Sequence, residues 1–281
     1  MRPAADIYQA LEAAGDLMDH DVSLEGVALL LAALDRPDVA LDPYRRHLHV
    51  LGQEVGHFLL GLGEPPDIGE QANALQQVLH ARYGYVGTEE AFYDPEGANL
   101  TRVIDRRCGL PVALGIIYLV VARAQGWSVS GLDFPGRFLI RLHHQGERMI
   151  LDPFAGGAIL TVPDLRDMLK AFSGTQAELL PRHYRNLPDR QVLVRLQGNV
   201  RGRLLREGRL EEAIQIIEST LLFAPKEAAL WRECGLLHAR LDNLPDAISA
   251  LEQFLQFGSD LDTRYGTSVF LQDLRQRLNE A

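Results

Sequence analysis

The sequence predicts an α+β protein that is mostly helical, carries one small antiparallel sheet, and ends in an all-α segment of paired helices. Three observations lead there. Apolar residues recur at helical spacing through residues 1–90, the period changes to that of short strands between residues 128 and 154, and beyond Pro188 the chain repeats itself.

The elements follow in order. LEGVALLLAAL (Leu24 to Leu34) is a strong helix former, and Asp42-Pro43 offers an N-cap followed by a first-turn proline. Behind it Leu48, Leu51, Val55 and Phe58 form one apolar helical face, and Gly61, Gly63, Pro65 and Pro66 then break the chain. A further helix is expected over Glu70 to Arg82, before a turn-rich stretch through Gly84, Gly87 and Asp94-Pro95. NLTRVIDRR (Asn99 to Arg107) predicts a short helix, interrupted by Cys108-Gly109-Leu110-Pro111. Pro111 opens the helix Val112 to Gln125, which Gly126 ends. SVSGLDF, RFLIRL and RMILDPF are strand-like and are separated by Pro135-Gly136 and His144-Gln145-Gly146. TVPDLRDMLKAF (Thr161 to Phe172) returns to helix.

In the last third, REGRLEEAIQIIESTLLFAP aligns with RLDNLPDAISALEQFLQFGS. Ala213 and Ala247 stand 34 residues apart, the tetratricopeptide period, and Leu210, Ile217 and Leu221 pair in the same way with Leu244, Leu251 and Leu255. Small alanines let helices approach while the large residues fill the space between them. Trp231 and Gly235 fit the opening of the second unit, with Trp231 expected in the core. The first unit opens less regularly, with Gln197 and Arg201 at those places. A capping helix is expected over Ser268 to Glu280. The chain is thus divided into a helical region (1–90), a core (91–185) and a repeat module (186–281).

Composition excludes several classes of function. With 47% hydrophobic and 23% charged residues the chain has the balance of an ordinary soluble globular protein. A net charge of −10 argues against nucleic acid as the main partner. The N-terminal stretch lacks the apolar run of a signal peptide, and LPVALGIIYLVVA falls short of the ~20 residues that span a bilayer. Two cysteines far apart, Cys108 and Cys234, suggest no disulfide framework, so the expected compartment is the cytoplasm. His47 and His49 lack the i, i+4 spacing of helical metal ligands, and Rossmann and P-loop glycine patterns are absent. The expectation is therefore no metal and no cofactor. Arg201 to Arg206 are expected on a solvated face.

The hairpin FPGRFLIRLHHQGERMILDPF (Phe134 to Phe154) raises the question of chemistry. A thiol-based acyl-transfer site needs a cysteine, a histidine base and a carboxylate that orients it, and a helix followed by antiparallel strands ending in Asp152 suits one. YDPEGANLTRVIDRRCGLPVALGIIYLVVARAQGW, FPGRFLIR and ILDPFAGG resemble the SirB-type family of bacterial proteins, which joins a transglutaminase-like core to C-terminal tetratricopeptide repeats. The resemblance covers nearly the whole chain. It implies a fold of the cysteine-protease and transglutaminase kind, with cysteine at the start of the central helix, histidine on the next strand and aspartate on the strand after. The nucleophile place falls at Pro111 to Ala113, which has no nucleophile, and the family's proline-glycine-histidine block reads Pro135-Gly136-Arg137. Only Asp152 is intact, 15 residues beyond Arg137.

The family's name, tied to regulation of bacterial invasion genes, implies a regulatory context. The pattern assigns no catalytic residue. The leading expectation is a degenerate, non-catalytic domain acting as a protein- or peptide-binding or regulatory factor through its core and repeat module, without nucleic acid or membrane. The alternative is a cysteine amidase or acyltransferase using Cys108, a hairpin histidine (His143 or His144) and Asp152. The structural readings of those residues are a buried small thiol and a solvated turn. A two-residue turn at Gln145-Gly146 would set Leu139 opposite Asp152, bringing Arg137 within reach of Asp152 for an ion pair.

Overall fold

The computed structural model describes residues 4–60, 66–94 and 96–280. The expected break at Gly61, Gly63 and Pro65, and Pro95 of the turn-rich stretch, lie outside the described residues. The chain divides into two units, one running to Ile7 and from Met18 to Leu196, the other comprising Tyr8–Leu17 and the chain from Gln197 onward.

The helices of the first third form as their sequences direct. After α1 (Ala4–Gly15), α2 (Leu24–Asp35) is capped by Ser23, whose Oγ accepts from the Gly26 amide at 3.0 Å. α3 spans Asp42–Leu59. Leu41 already has helical angles, so Asp42 is the first helical residue rather than the cap, and its carboxylate accepts instead from Arg45. Leu48, Leu51 and Val55 are buried, whereas Phe58 at the end of the stripe is exposed. α4 (Ile68–Leu75) starts two residues earlier than expected, because Asp67 and Glu70 form a capping box, and continues as a π-helical segment Gln76–Arg82.

α5 (Leu100–Arg106) and α6 (Pro111–Ala124) are separated by a sharp turn. Asn99 caps α5 through its side-chain oxygen, and Arg107 ends it in the left-handed region at φ 59°. α6 is buried almost throughout, from Pro111 to Leu119 and again at Val121 and Ala122. No single helix among the described residues is long and apolar enough to cross a membrane.

Against α6 lies a five-stranded antiparallel sheet: β1 (Ser128–Leu132), β2 (Leu139–His144), β3 (Glu147–Asp152), β4 (Ala158–Leu160) and β5 (Asn186–Leu187), in the order β4-β3-β2-β1-β5. The two outer strands, β4 and β5, are too short to show a period in the sequence. The turn between β2 and β3 is the two-residue Gln145-Gly146, with φ 49° and 88°, the positive angles that a tight hairpin turn demands. His144 therefore pairs with Glu147 and Ile140 with Leu151. His143 and His144 belong to β2 and are half-buried, so the expected solvated turn is confined to Gln145 and Gly146. α7 (Val162–Ser173) carries a Thr161–Asp164 capping box, and α8 spans Asp189–Arg206.

The second unit is built of helix pairs. α9 (Leu210–Phe223) and α11 (Leu244–Phe257) begin and end 34 residues apart, with α10 (Ala228–Arg240) between them. Even the turns correspond: Gly208 and Asp242, one repeat apart, both take positive φ, 74° and 60°. Ala213 and Ala247 are fully buried. Trp231 is half-buried rather than a core residue, and its indole N–H donates to the Pro225 carbonyl at 2.8 Å. That bond ties the opening of α10 to the end of the preceding helix, which explains an amphipathic tryptophan there. The final helix, α12 (Leu261–Glu280), starts earlier than the expected cap and buries Leu271 and Leu274 against α11 residues Ala247 and Leu251. Arg201 and Arg203 are largely buried along their stems rather than on a solvated face, and Arg201 pairs with Glu233 at 3.4 Å.

At Gly235, α10 and α11 approach closely. A Cβ there would lie 2.6 Å from Leu251 Cγ and 3.1 Å from the Ala247 carbonyl oxygen. Helix propensity alone would make Gly235→Ala stabilising by about 1 kcal/mol. We expect the opposite sign, a loss of about 1–3 kcal/mol by overpacking, read as a lower melting temperature. A variant that melts higher would show that Leu251 yields and that the contact is loose.

Candidate functional site: a buried carboxylate beside the start of α6

The α6 start is shaped by backbone demands. Leu110 is extended, its amide donates to the Gly97 carbonyl at 2.8 Å, and Pro111 enters the helix where no amide hydrogen is needed. A side chain on Gly109 would collide with Val103, so the approach is open only to glycine. Arg107 anchors the turn. Its guanidinium donates to the buried Tyr85 hydroxyl at 2.5 Å, lies 2.9 Å from His47 Nε2, and also reaches the Ile104 carbonyl. Burial first, and then the Arg107 charge, hold the His47 imidazole down at about 4. Pro111, Val112 and Ala113 are all buried and present no nucleophilic atom.

Asp152 closes β3. Its Oδ1 accepts from the Phe154 amide at 3.0 Å, and its Oδ2 lies 3.2 Å from Arg137 Nε. The ion pair expected from the hairpin register is therefore present, with the aspartate side chain only 3% exposed and the arginine 26%. Burial pushes the Asp152 carboxyl up. The Arg137 charge, then the backbone amides of Phe154 and Ala155, pull it back down. The guanidinium carbon of Arg137 also sits 4.3 Å from the centre of the Phe154 ring, a cation–π contact that fixes its plane.

Three supporting residues escape sequence reasoning. Arg195 of α8, largely buried, donates to the carbonyls of Phe134 (2.7 Å) and Arg137 (2.9 Å) and thereby holds the loop that presents Arg137. Tyr118 of α6 is fully buried, its hydroxyl makes no hydrogen bond to the protein, and burial and the Asp152 charge both push its ionisation upward. Phe154, quoted in the sequence only as part of a motif, stacks on Arg137 and lies 4.8 Å from the Phe92 ring. The spacing of Arg137 and Asp152 signals their pairing, but nothing in sequence links Arg195 to a loop some 60 residues away.

The alternative constellation does not assemble. Cys108 Sγ faces the Thr88 hydroxyl at 3.7 Å. His143 accepts from Arg141 Nε at 3.1 Å, and His144 Nδ1 lies 3.1 Å from Gln71 Nε2 on α4. Both histidines sit at the turn end of the hairpin, four and five residues beyond Leu139, roughly 13–17 Å along the strand from the Asp152 end. Asp152 is engaged by Arg137, not by a histidine. Beside Arg137 opens a cleft of about 320 Å³, walled by Phe92, Pro135, Gly136, Met168 and Phe172. Phe92 and Phe172 are exposed at its rim.

Arg137→Ala would strand the Asp152 carboxylate. With one partner buried and the other a quarter exposed, the loss should fall between the surface and fully buried cases, at about 2–4 kcal/mol. It should also depend on pH. The folded carboxyl is already raised above its unfolded value, so its ionisation disfavours folding as pH rises through the folded value, and removing Arg137 raises it further. The melting deficit of the variant should be largest near neutral pH and shrink as pH falls to where Asp152 takes up a proton. A deficit independent of pH would mean that Arg137 acts through packing on Phe154 alone.

Residues 42–198 match the model of the transglutaminase-like superfamily, and residues 200–266 match a tetratricopeptide repeat. The chain is similar to a UPF0162 protein of Vibrio cholerae, 30% identical over 246 residues, covering 86% of this chain and 89% of that one. A UPF0162 protein of Xylella fastidiosa is 29% identical over 245 residues, 85% of each chain. Protein SirB1 of Salmonella typhimurium is 25% identical over 188 residues, covering 66% of this chain and 70% of SirB1. These likenesses agree with the SirB-type resemblance of the motifs around Arg106, Arg107 and Asp152. With the superfamily model spanning more than half of its length, this chain belongs to the transglutaminase-like superfamily and carries tetratricopeptide repeats behind that domain.

Proposed function

We propose that the protein is a non-catalytic, degenerate transglutaminase-like factor that binds a protein or peptide partner through its core and repeat module, in a regulatory role in the cytoplasm. The observation that carries this reading is the Arg137–Asp152 pair. An arginine remains protonated across the whole range in which a histidine base would exchange its proton, so the pair satisfies a buried carboxylate and offers no base. The absence of a nucleophilic side chain at Pro111 to Ala113 supports the same conclusion. A cleft with a guanidinium in its wall and phenylalanines at its rim has the character of a binding surface, in which a few polar groups orient a largely apolar contact. Tetratricopeptide helices supply a second surface of the kind used for protein partners. The net charge of −10 supports protein rather than nucleic acid as the partner.

Two experiments test the reading. Amine incorporation into a glutamine donor and hydrolysis of an activated ester should stay at background for the native chain, and equally for Arg137→His, because the helix start still lacks a thiol. Turnover that Cys108→Ala abolishes would establish the cysteine enzyme instead. Capture of partners by the immobilised full chain, compared with residues 1–198, which keep β5 and Arg195, should lose the repeat-dependent partner in the shorter chain. An identical set of partners on both would remove the repeat module from the function.

A further inference from the structure

The second unit holds a group of side chains that neither the degenerate site nor the repeat pattern uses. Glu218 on α9 and Cys234 and His238 on α10 each offer one donor atom, and the three atoms all lie within 4.8 Å of one another. Cys234 and His238 stand four residues apart, on one face of α10, and both are more than nine-tenths buried. Glu218 reaches them from the neighbouring helix with its side chain 55% exposed, and His238 Nε2 lies 3.4 Å from its Oε1. The other ring nitrogen, Nδ1, is buried and makes no hydrogen bond. A thiol, an imidazole and a carboxylate converging within 4.8 Å are donors that divalent zinc selects.

We propose that Glu218, Cys234 and His238 form a zinc-class metal site that pins α9 to α10 in the repeat module. Donors around a tetrahedral zinc lie roughly 3.3–3.8 Å apart, so the nitrogen–oxygen separation already matches, and the longer ones close with about 1 Å of side-chain movement. Glu218, on the exposed side, is free to make that movement. The local field favours a cation as well. Glu218, Asp246 and Glu233 all act on Cys234 with negative charge, and a cation at the cluster would be attracted by all three. Arg201 offsets part of the field through its ion pair with Glu233. Three protein donors would leave a fourth position of a tetrahedral ion for water or for a group of a bound partner. The i, i+4 pair of cysteine and histidine, rather than of two histidines, is why a search for paired histidines passes over the site.

The test is titration of the full-length chain, reduced with a phosphine, with Co²⁺ as the spectroscopic probe. We expect thiolate-to-cobalt absorption in the near ultraviolet that saturates at one equivalent and is displaced by Zn²⁺. Cys234→Ser should abolish the band, and Glu218→Gln should weaken Co²⁺ binding by about tenfold or more. Glu218→Gln is the variant least able to disturb the fold, so it decides the matter if Cys234→Ser does not fold. No band from a natively folded chain would overturn the proposal. So would a band that survives Cys234→Ser, which would place the thiolate at Cys108, or Co²⁺ affinity unchanged by Glu218→Gln.

Discussion

Burying α6 on every side is the constraint under which the first unit is built. Its residues are apolar nearly all round, so every face must be covered, and each large side chain removed from water contributes about 1.5–3 kcal/mol. Small residues set how closely the covers approach. Phe138 lies where a side chain on Gly115 would be, α3 comes down on Ala124 through Gly52, and the Asp152–Gly157 turn passes Tyr118 through Gly157. The last contact has a chemical consequence. It brings the end of β3 against the central helix, and the carboxylate that ends β3 is carried out of water with it.

A carboxylate in that position needs compensation, and the means of compensation decides what chemistry is open. A histidine there would share a proton with Asp152. Arg137 shares only charge, and Phe154 and Arg195 keep it in place, one by stacking on its guanidinium and the other by gripping its backbone. Because burial raises the carboxyl more than Arg137 lowers it, the pair offsets only part of the cost of taking Asp152 out of water. The tight turn before Pro111 is preserved by its own network through Arg107, Tyr85 and His47, which does not involve Asp152. The turn that starts α6 and the pair that satisfies Asp152 are therefore held by separate sets of contacts.

The second unit obeys a different logic. α9 and α11 match in length, spacing and preceding turn, and the unit is held by neighbour-on-neighbour contacts such as Gly235 against Leu251 and Leu271 and Leu274 against α11. α12 covers the apolar face that a further repeat would otherwise cover.

The sequence by itself determined whatever depends on short periods and on turn chemistry. The helical stripes, the 34-residue spacing of Ala213 and Ala247, and the hairpin register from Gln145-Gly146 are all set within a few residues by 3.6- and 2-residue periodicities. Because register follows from the turn, even the meeting of Arg137 with Asp152 is legible in the sequence. The tertiary structure alone decided the relations that join distant segments: Arg195 on the Arg137 loop, Tyr118 in the field of Asp152, Arg107 on Tyr85, and Glu218 beside Cys234 and His238. It also decided that Trp231 sits at a half-covered edge, that His143 and His144 point to partners other than Asp152, and that β4 and β5 complete the sheet. These are polar or edge contacts, whose partners are selected by how packed elements meet in space, and local periodicity carries no record of that meeting.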